Sequence, residues 1–242
     1  MSNRQRLDEF LVARGLYPSR SRARDAVLRG TVRVDGVVSV KPAQMVTREA
    51  EIVLTDAARH YVSRAALKLK HGLEQFGIAA AGRHALDIGA STGGFTQVLL
   101  EQGAAHVTAI EVGHGQMIIT EPRVTLIEGL NARDLTAAHL AYPVNLIVCD
   151  VSFISLTLAL PPALDLALPG ADLVALIKPQ FEVGRDGLSK GGVVTGQAAR
   201  QRVCDDISIF LLGRGWTVRG VVASPVAGGD GNQEFLIAAR KN

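Results

Sequence analysis

The sequence predicts two folded parts, a small α+β module followed by an α/β domain built on a mostly parallel seven-stranded sheet with one antiparallel strand. Three observations carry this reading. Residues 1–62 hold 11 basic and 7 acidic side chains, whereas the rest of the chain holds 15 and 16. From residue 63 onward, apolar strand-like runs alternate with helical ones. A glycine-rich turn, Gly89-Ala90-Ser91-Thr92-Gly93-Gly94, directly follows the first of those strands. Such alternation implies a parallel sheet covered on both faces by helices. The expected boundaries are 1–55 for the module, 56–62 for a short joint and 63–242 for the larger domain.

In the module, Leu7, Phe10 and Leu11 follow helical spacing, and Ser19 or Ser21 is placed to cap a second helix that Gly30 stops. Val32-Arg33-Val34, the Asp35-Gly36 turn and Val37–Val40 read as a hairpin, with Glu51–Leu54 as a further strand. Asp56–Val62 is polar and too short to act as a flexible tether. In the larger part, strands are expected at His84–Ile88, Val107–Glu111, Val124–Ile127, Leu146–Cys149, Leu173–Ile177, Thr217–Val222 and Phe235–Ala239. Helices are expected at Ala65–Gln75, Gly94–Gln102, Leu156–Ala167 and Ala198–Gly213. The last two strands have no helical pattern between them, so they should form an antiparallel hairpin.

The bulk composition excludes several classes. The chain has 242 residues, 48% of them hydrophobic, enough for a sizeable core. Cys149 and Cys204 lack metal-ligand spacing and suit buried thiols in a reducing compartment. The apolar stretch from Val151 to Gly170 is broken by Pro161-Pro162, Asp165 and Pro169, which makes a poor membrane span. A soluble cytoplasmic protein with no bound metal is expected, and nothing in the sequence speaks to its oligomeric state. The basic excess at the N-terminus suggests a partner that is a polyanion.

Three motifs overlap at the glycine turn. Gly89-Ala90-Ser91-Thr92-Gly93 fits G-x-S-x-G, but every histidine after Ser91 (His106, His114, His139) precedes the late strand ends where a triad histidine belongs. Gly89 to Thr96 nearly fits a phosphate loop, but Phe95 replaces its lysine. A dinucleotide turn fits better, with Glu111 about 20 residues beyond Gly89 on the next strand, although Ser91 occupies the second glycine slot.

Arg6-Leu7-Asp8, Ser19-Arg20-Ser21-Arg22, Gly30, Val32-Arg33-Val34-Asp35-Gly36 and Lys41-Pro42 together resemble the S4 RNA-binding module. The resemblance implies RNA binding through a basic second helix and hairpin, with Arg6, Arg20, Arg22, Arg24, Arg29 and Arg33 as candidate phosphate contacts, opposed locally only by Asp25. The larger domain resembles class I methyltransferases, whose Rossmann-like sheet carries one antiparallel strand near its end. S-adenosylmethionine then suits the turn better: it has no phosphates, so the missing lysine is no defect, and Ser91 and the lysines and acids at the neighbouring strand ends favour it over a dinucleotide. Gly89, Ser91, Gly93, Gly94 and Phe95 would cradle its methionine part, with Asp87 near its cationic end. Glu111 would accept from its ribose hydroxyls, and Asn131 or Asp134 would meet the adenine edge.

Four further residues belong where a reaction centre should lie. Lys68 is in Ser63-Arg64-Ala65-Ala66-Leu67-Lys68-Leu69, Asp150 in Asp150-Val151-Ser152-Phe153-Ile154-Ser155, Lys178 in Lys178-Pro179-Gln180-Phe181-Glu182, and Glu234 opens the last strand. They resemble the Lys-Asp-Lys-Glu tetrad of the FtsJ/RrmJ-type ribose 2′-O-methyltransferases, and joined to an S4 module they resemble the TlyA family, also named haemolysin A. That resemblance implies S-adenosylmethionine-dependent methylation of cytidine ribose in ribosomal RNA, with the RNA or a ribosomal subunit as partner. Asp150 would also border the cofactor. By the resemblance Lys178 would contact the 2′-hydroxyl, with Asp150 and Glu234 orienting the lysines and tuning their charge; lysine serves as a base only if its ordinary pKa of about 10.4 is lowered, and two lysines brought together would lower one another's. The rival readings are a non-enzymatic S4-type RNA-binding protein and a haemolysin-like pore former.

Overall fold

The computed structural model describes residues 4–184, 188, 189, 191–228 and 231–242. The chain divides into two compact units, Met1–His60 and Tyr61–Asn242.

The small unit holds helices α1 (Leu7–Ala13) and α2 (Arg20–Leu28) and strands β1 (Arg4–Arg6), β2 (Val32–Val34), β3 (Val37–Ser39), β4 (Met45–Thr47) and β5 (Ile52–Leu54). Ser19 caps α2, its hydroxyl accepting from the Arg22 amide at 3.3 Å. Asp35 and Gly36 both have positive φ, as a two-residue hairpin turn requires. The sheet order is β3-β2-β5, and β1 pairs separately with β4. These last two strands carry no sequence signal of their own. Each has three residues, and Arg-Gln-Arg offers no apolar face, so tertiary context makes the pair.

Residues expected to belong to the joint are tied into this unit. Asp56 is buried, accepts both terminal nitrogens of Arg29 at 3.0 Å and accepts the Tyr17 hydroxyl at 2.9 Å. The Arg59 Nε donates to the Leu16 carbonyl, and Arg22 donates to that of Ala58. Removing one partner from a buried pair leaves the other charge unpaired, so this knot holds the end of the unit in place.

The large unit holds a seven-stranded sheet in the order β11-β12-β10-β9-β6-β7-β8. Its strands are β6 (His84–Ile88), β7 (His106–Glu111), β8 (Val124–Glu128), β9 (Leu146–Cys149), β10 (Asp172–Ile177), β11 (Trp216–Ala223) and β12 (Phe235–Lys241). All neighbours are parallel except β12, which is antiparallel to both β10 and β11. The expected architecture is therefore present. Helices α3 (Ala65–Phe76) and α4 (Gly94–Glu101) cover one face. On α3 the buried residues Ala66, Leu69 and Leu73 recur at helical spacing. Gly72 lets this helix lie close on the sheet, since a Cβ there would stand 3.0 Å from Val174.

The other face is covered by α5 (Leu156–Ala159), α6 (Pro161–Leu166) and α8 (Gln197–Gly213). A continuous helix over Leu156–Ala167 is not formed. Leu160 ends α5 and begins α6, because Pro161 and Pro162 have no N–H to extend the ladder. A short helix, α7 (Pro179–Glu182), follows β10 and is too brief to show periodicity in sequence. The strand order reverses between β6 and β9, and ligands in open α/β sheets bind beyond the carboxyl ends at such a switch point.

Candidate active site

A cavity of about 850 Å³ opens at that switch point, within the range of pockets that hold nucleoside-sized ligands. Its lining includes Gly89, Ser91, Glu111, Asn131, Asp150 and Phe153. A smaller recess of about 180 Å³ beside it is lined by Ser63, Gly94, Phe95, Asp150 and Ser152, among others.

The glycine turn is shaped by contact as well as by φ. Gly89 has φ +81°, and a Cβ on it would lie 2.6 Å from the Asp150 carbonyl oxygen. Gly93 has φ +99°, and its Cβ would lie 2.5 Å from the Met117 sulfur. Ser91 is a non-glycine residue with φ +46°. Its amide donates to Glu111 Oε2 at 2.9 Å and its hydroxyl to Gln116 Oε1 at 3.1 Å. Glu111 Oε1 accepts from the Gly113 amide at 2.8 Å. The Glu111 carboxylate is thus aimed and held by two amides, and each oxygen keeps a second lone pair for hydroxyl donors. Asn131 is held at the cavity wall, its Oδ1 accepting from the Arg133 amide and Nε at 3.1 and 3.2 Å.

Asp87, Gly93 and Phe95 are placed differently from Gly89, Ser91 and Glu111. Neither Asp87 nor Gly93 lines the large cavity, and Phe95, largely buried in the core, reaches only the small recess. Asp87 is fully buried, and its Oδ2 accepts the Thr96 hydroxyl at 2.6 Å. Leu86 and Ile88 belong to the core on the other side of the sheet, so alternation turns Asp87 toward α4. Burial, reinforced by Asp150 and Glu111, pushes its pKa up to about 7. In the unfolded chain an aspartate titrates near 3.9, so native stability falls as pH rises from about 4 to about 7, and the penalty is complete above that. Asp87→Asn should remove it. The variant is expected to gain about 2–4 kcal/mol over the wild type at pH 8 and nearly nothing at pH 4. Urea midpoints at the two pH values check this, and equal gains at both would refute it.

The four residues of the resemblance form two pairs. Lys68, on the first turns of α3, meets Glu234 at 2.5 Å. Lys178, just beyond β10, meets Asp150 at 2.6 Å and donates to the Ser152 hydroxyl at 2.9 Å. Each lysine therefore has a carboxylate as its ion-pair partner. Lys68, Lys178 and Glu234 are buried, and Asp150 reaches the cavity.

Sequence reasoning passed over Ser152, Phe153, Gln116 and Glu182. Ser152 is the hydroxyl partner of Lys178. Phe153 is 91% exposed with φ +64°, and its ring meets Phe181 at 5.0 Å between centroids. A bulky residue with positive φ is an outlier only the structure displays.

In the small unit the arginines fall into two groups. Arg6 and Arg20 both bond Asp8 at 3.0 Å, and Arg20 also meets Glu9 at 3.2 Å. Arg6 and Arg20 bring Asp8 down to about 2, the Arg6 hydrogen bond contributing most. Arg29 joins Asp25 and Asp56 and is spent on the fold, so Asp25 is not the sole local acid. Arg24 and Arg33 are exposed, the latter donating to the Gly36 carbonyl. Arg185, a weaker candidate for RNA contact, lies outside the described residues.

Residues 61–241 match the FtsJ-like methyltransferase family and residues 5–52 the S4 domain. The chain belongs to the FtsJ-like methyltransferase family. It is 46% identical, over 99% of its length and 91% of the relative's, to the 16S/23S rRNA (cytidine-2′-O)-methyltransferase TlyA of Mycobacterium tuberculosis. It is 38% identical to hemolysin A of Brachyspira hyodysenteriae, over 96% and 98% of the two chains. A provisionally named hemolysin from Streptococcus thermophilus has the same fold, with a TM-score of 0.78 at 34% identity, covering 100% of this chain and 90% of that one. This FtsJ-like protein is a methyltransferase with an S4 domain ahead of its catalytic domain.

Proposed function

We propose that the protein transfers a methyl group from S-adenosylmethionine to the 2′-hydroxyl of cytidine in ribosomal RNA. The observation that carries this is Lys178, held at 2.6 Å by Asp150 where that carboxylate borders the nucleoside-sized cavity. The cavity suits the cofactor on three counts. Glu111 offers two oriented oxygens to a ribose diol, the bare Gly89 backbone admits close approach, and Asn131 supplies a polar edge for adenine. When bound, the cofactor supplies an electrophilic methyl group.

The protein's own part is to prepare the hydroxyl. Lys178 Nζ meets the 2′-oxygen, fixes its approach and, in its neutral amine form, takes up the proton that oxygen loses. Asp150 and Ser152 hold Nζ in place, and Glu234 holds Lys68 beside them as a second donor for the ribose. Positioning of this kind and proton transfer each lower the barrier. Arg24 and Arg33 of the S4 domain would meet RNA phosphates, which fits recognition of RNA by shape and backbone. No helix of the described residues is long and apolar enough to cross a membrane.

Phe153 fits a stacking platform for the target base. Stacking on an aromatic contributes about 1–3 kcal/mol per base, so Phe153→Ala should raise KM for RNA by about 5- to 150-fold with cofactor affinity unchanged. An unaltered KM would remove Phe153 from the RNA site. The whole reading is tested by mapping 2′-O-methylcytidine in ribosomal RNA from cells with and without this protein, alongside calorimetric titration with S-adenosylmethionine. Loss of specific sites and measurable binding are expected. Identical maps with no binding would overturn it.

A further inference from the structure

Between the two reaction-site segments lies a second tie that the proposed chemistry does not use. Lys178 begins the Lys178–Glu182 segment, and Glu182 ends it one helical turn later. Glu182 Oε2 accepts the Ser155 hydroxyl at 2.5 Å, and Oε1 accepts the Leu156 amide at 2.9 Å. Lys178 grips the other end of the same loop, at Asp150 and Ser152. The loop from Asp150 to Leu156 is therefore pinned at both ends to one short segment. Between the pins stands Phe153 in its left-handed conformation. Such backbone costs about 1–3 kcal/mol and persists only where the surroundings enforce it.

Helix capping alone does not account for Glu182. Ser155 already caps α5, its hydroxyl accepting from the Thr157 amide at 3.1 Å. Glu182 comes from a segment more than 25 residues away in sequence, and burial raises its pKa. Among the described residues no cation pairs with it. Even a half-buried carboxylate without a cation costs free energy, which a purely local cap on a four-residue helix would not require.

We infer that Glu182 is a positioning residue, locking the Asp150–Leu156 loop so that Asp150, Ser152 and Phe153 stand in working register with Lys178. It acts through those residues and touches no substrate itself. The inference rests on the methylation reading, so its test has one readout that turnover does not enter.

The test compares Glu182→Ala and Glu182→Gln in the full-length protein. Glutamine keeps an acceptor for the Leu156 amide and offers a donor to the Ser155 oxygen. Hydrogen–deuterium exchange over residues 150–158 should speed up at least about ten-fold in Glu182→Ala and stay near wild type in Glu182→Gln. With ribosomal subunits as substrate, Glu182→Ala should lose about 10- to 100-fold in kcat, while the S-adenosylmethionine dissociation constant stays within about two-fold. Glu182→Gln should recover most of that kcat. Unchanged exchange in Glu182→Ala would overturn the inference, as would a glutamine variant as impaired as alanine. A proportional loss of cofactor affinity would mean collapse of the whole site and would overturn it too. If the wild type makes no 2′-O-methylcytidine, the functional reading fails, and the exchange data still decide whether Glu182 holds the loop.

Discussion

Lys178→Ala is expected to abolish methyl transfer, lowering the single-turnover rate by at least about 10³-fold, while S-adenosylmethionine still binds within about two-fold of wild type. The reason is where the side chain sits. Lys178 leaves β10 at its carboxyl end, is buried, and is gripped by Asp150 at 2.6 Å and Ser152 at 2.9 Å. The residues that suit the cofactor, Gly89, Glu111 and Asn131, lie on other segments, and Lys178 is absent from the lining of the large cavity. Truncation therefore strikes the acceptor hydroxyl and spares the cofactor.

Two roles can be separated by Lys178→Arg. Arginine keeps the positive charge and can still meet Asp150, but it does not give up its proton in proteins. If Nζ takes the proton from the 2′-oxygen, Lys178→Arg should be as inactive as alanine. If a fixed cation is enough, arginine should retain a substantial part of the rate. Methyl incorporation into ribosomal subunits, measured beside calorimetric titration of the cofactor, decides this. A normal rate in Lys178→Ala would sink the assignment of Lys178 altogether.

How much of this was legible in the sequence depends on the range of each interaction. The apolar runs Leu146–Cys149 and His84–Ile88 are strands buried along most of their length, and a short run of that texture leaves little choice. Short-range punctuation was equally readable at Ser19 and at Asp35-Gly36. Pro161 should have warned against a continuous helix from Leu156, because proline chemistry is local too. The long-range pairs were a different matter. Lys68 and Glu234 are 166 positions apart, and no spacing rule joins them. Only the resemblance to a known tetrad put them in one site. It carried the residue names and the expectation that Asp150 and Glu234 orient the lysines, but not which acid serves which lysine. Arg29 and Asp56 show the same limit in reverse. A basic helix read by charge alone suggests a phosphate contact, yet this arginine is consumed by an acid 27 positions away. Asp87 precedes the turn and is expected near the cofactor's cationic end, and strand alternation turns its side chain to Thr96.

The glycine turn offers the second large effect. Gly89→Ala is expected to cost about 2–4 kcal/mol of stability and to weaken cofactor binding by at least about 100-fold, more than the loss of any one hydrogen bond would do. Two penalties coincide at this position. With φ at +81°, any residue carrying a Cβ is strained by about 1–2 kcal/mol. The added methyl would also lie 2.6 Å from the Asp150 carbonyl oxygen, which has little freedom to retreat. The Asp150 amide donates to the Ile88 carbonyl at 3.0 Å, and Ile88 stands in register with Cys149, so β6 and β9 are stitched together at that point. Relief must come from parting the strands where the cavity opens, and parting them moves Asp150 away from Lys178. Gly82→Ala is the matching control. Gly82 has φ +71°, but no atom lies within 4 Å of its would-be Cβ. That variant should lose only about 1 kcal/mol, from strain alone, and bind the cofactor normally. Denaturant unfolding and calorimetric titration of both variants test the argument. If Gly89→Ala binds S-adenosylmethionine as tightly as Gly82→Ala does, the bare backbone at Gly89 is not part of the cofactor site.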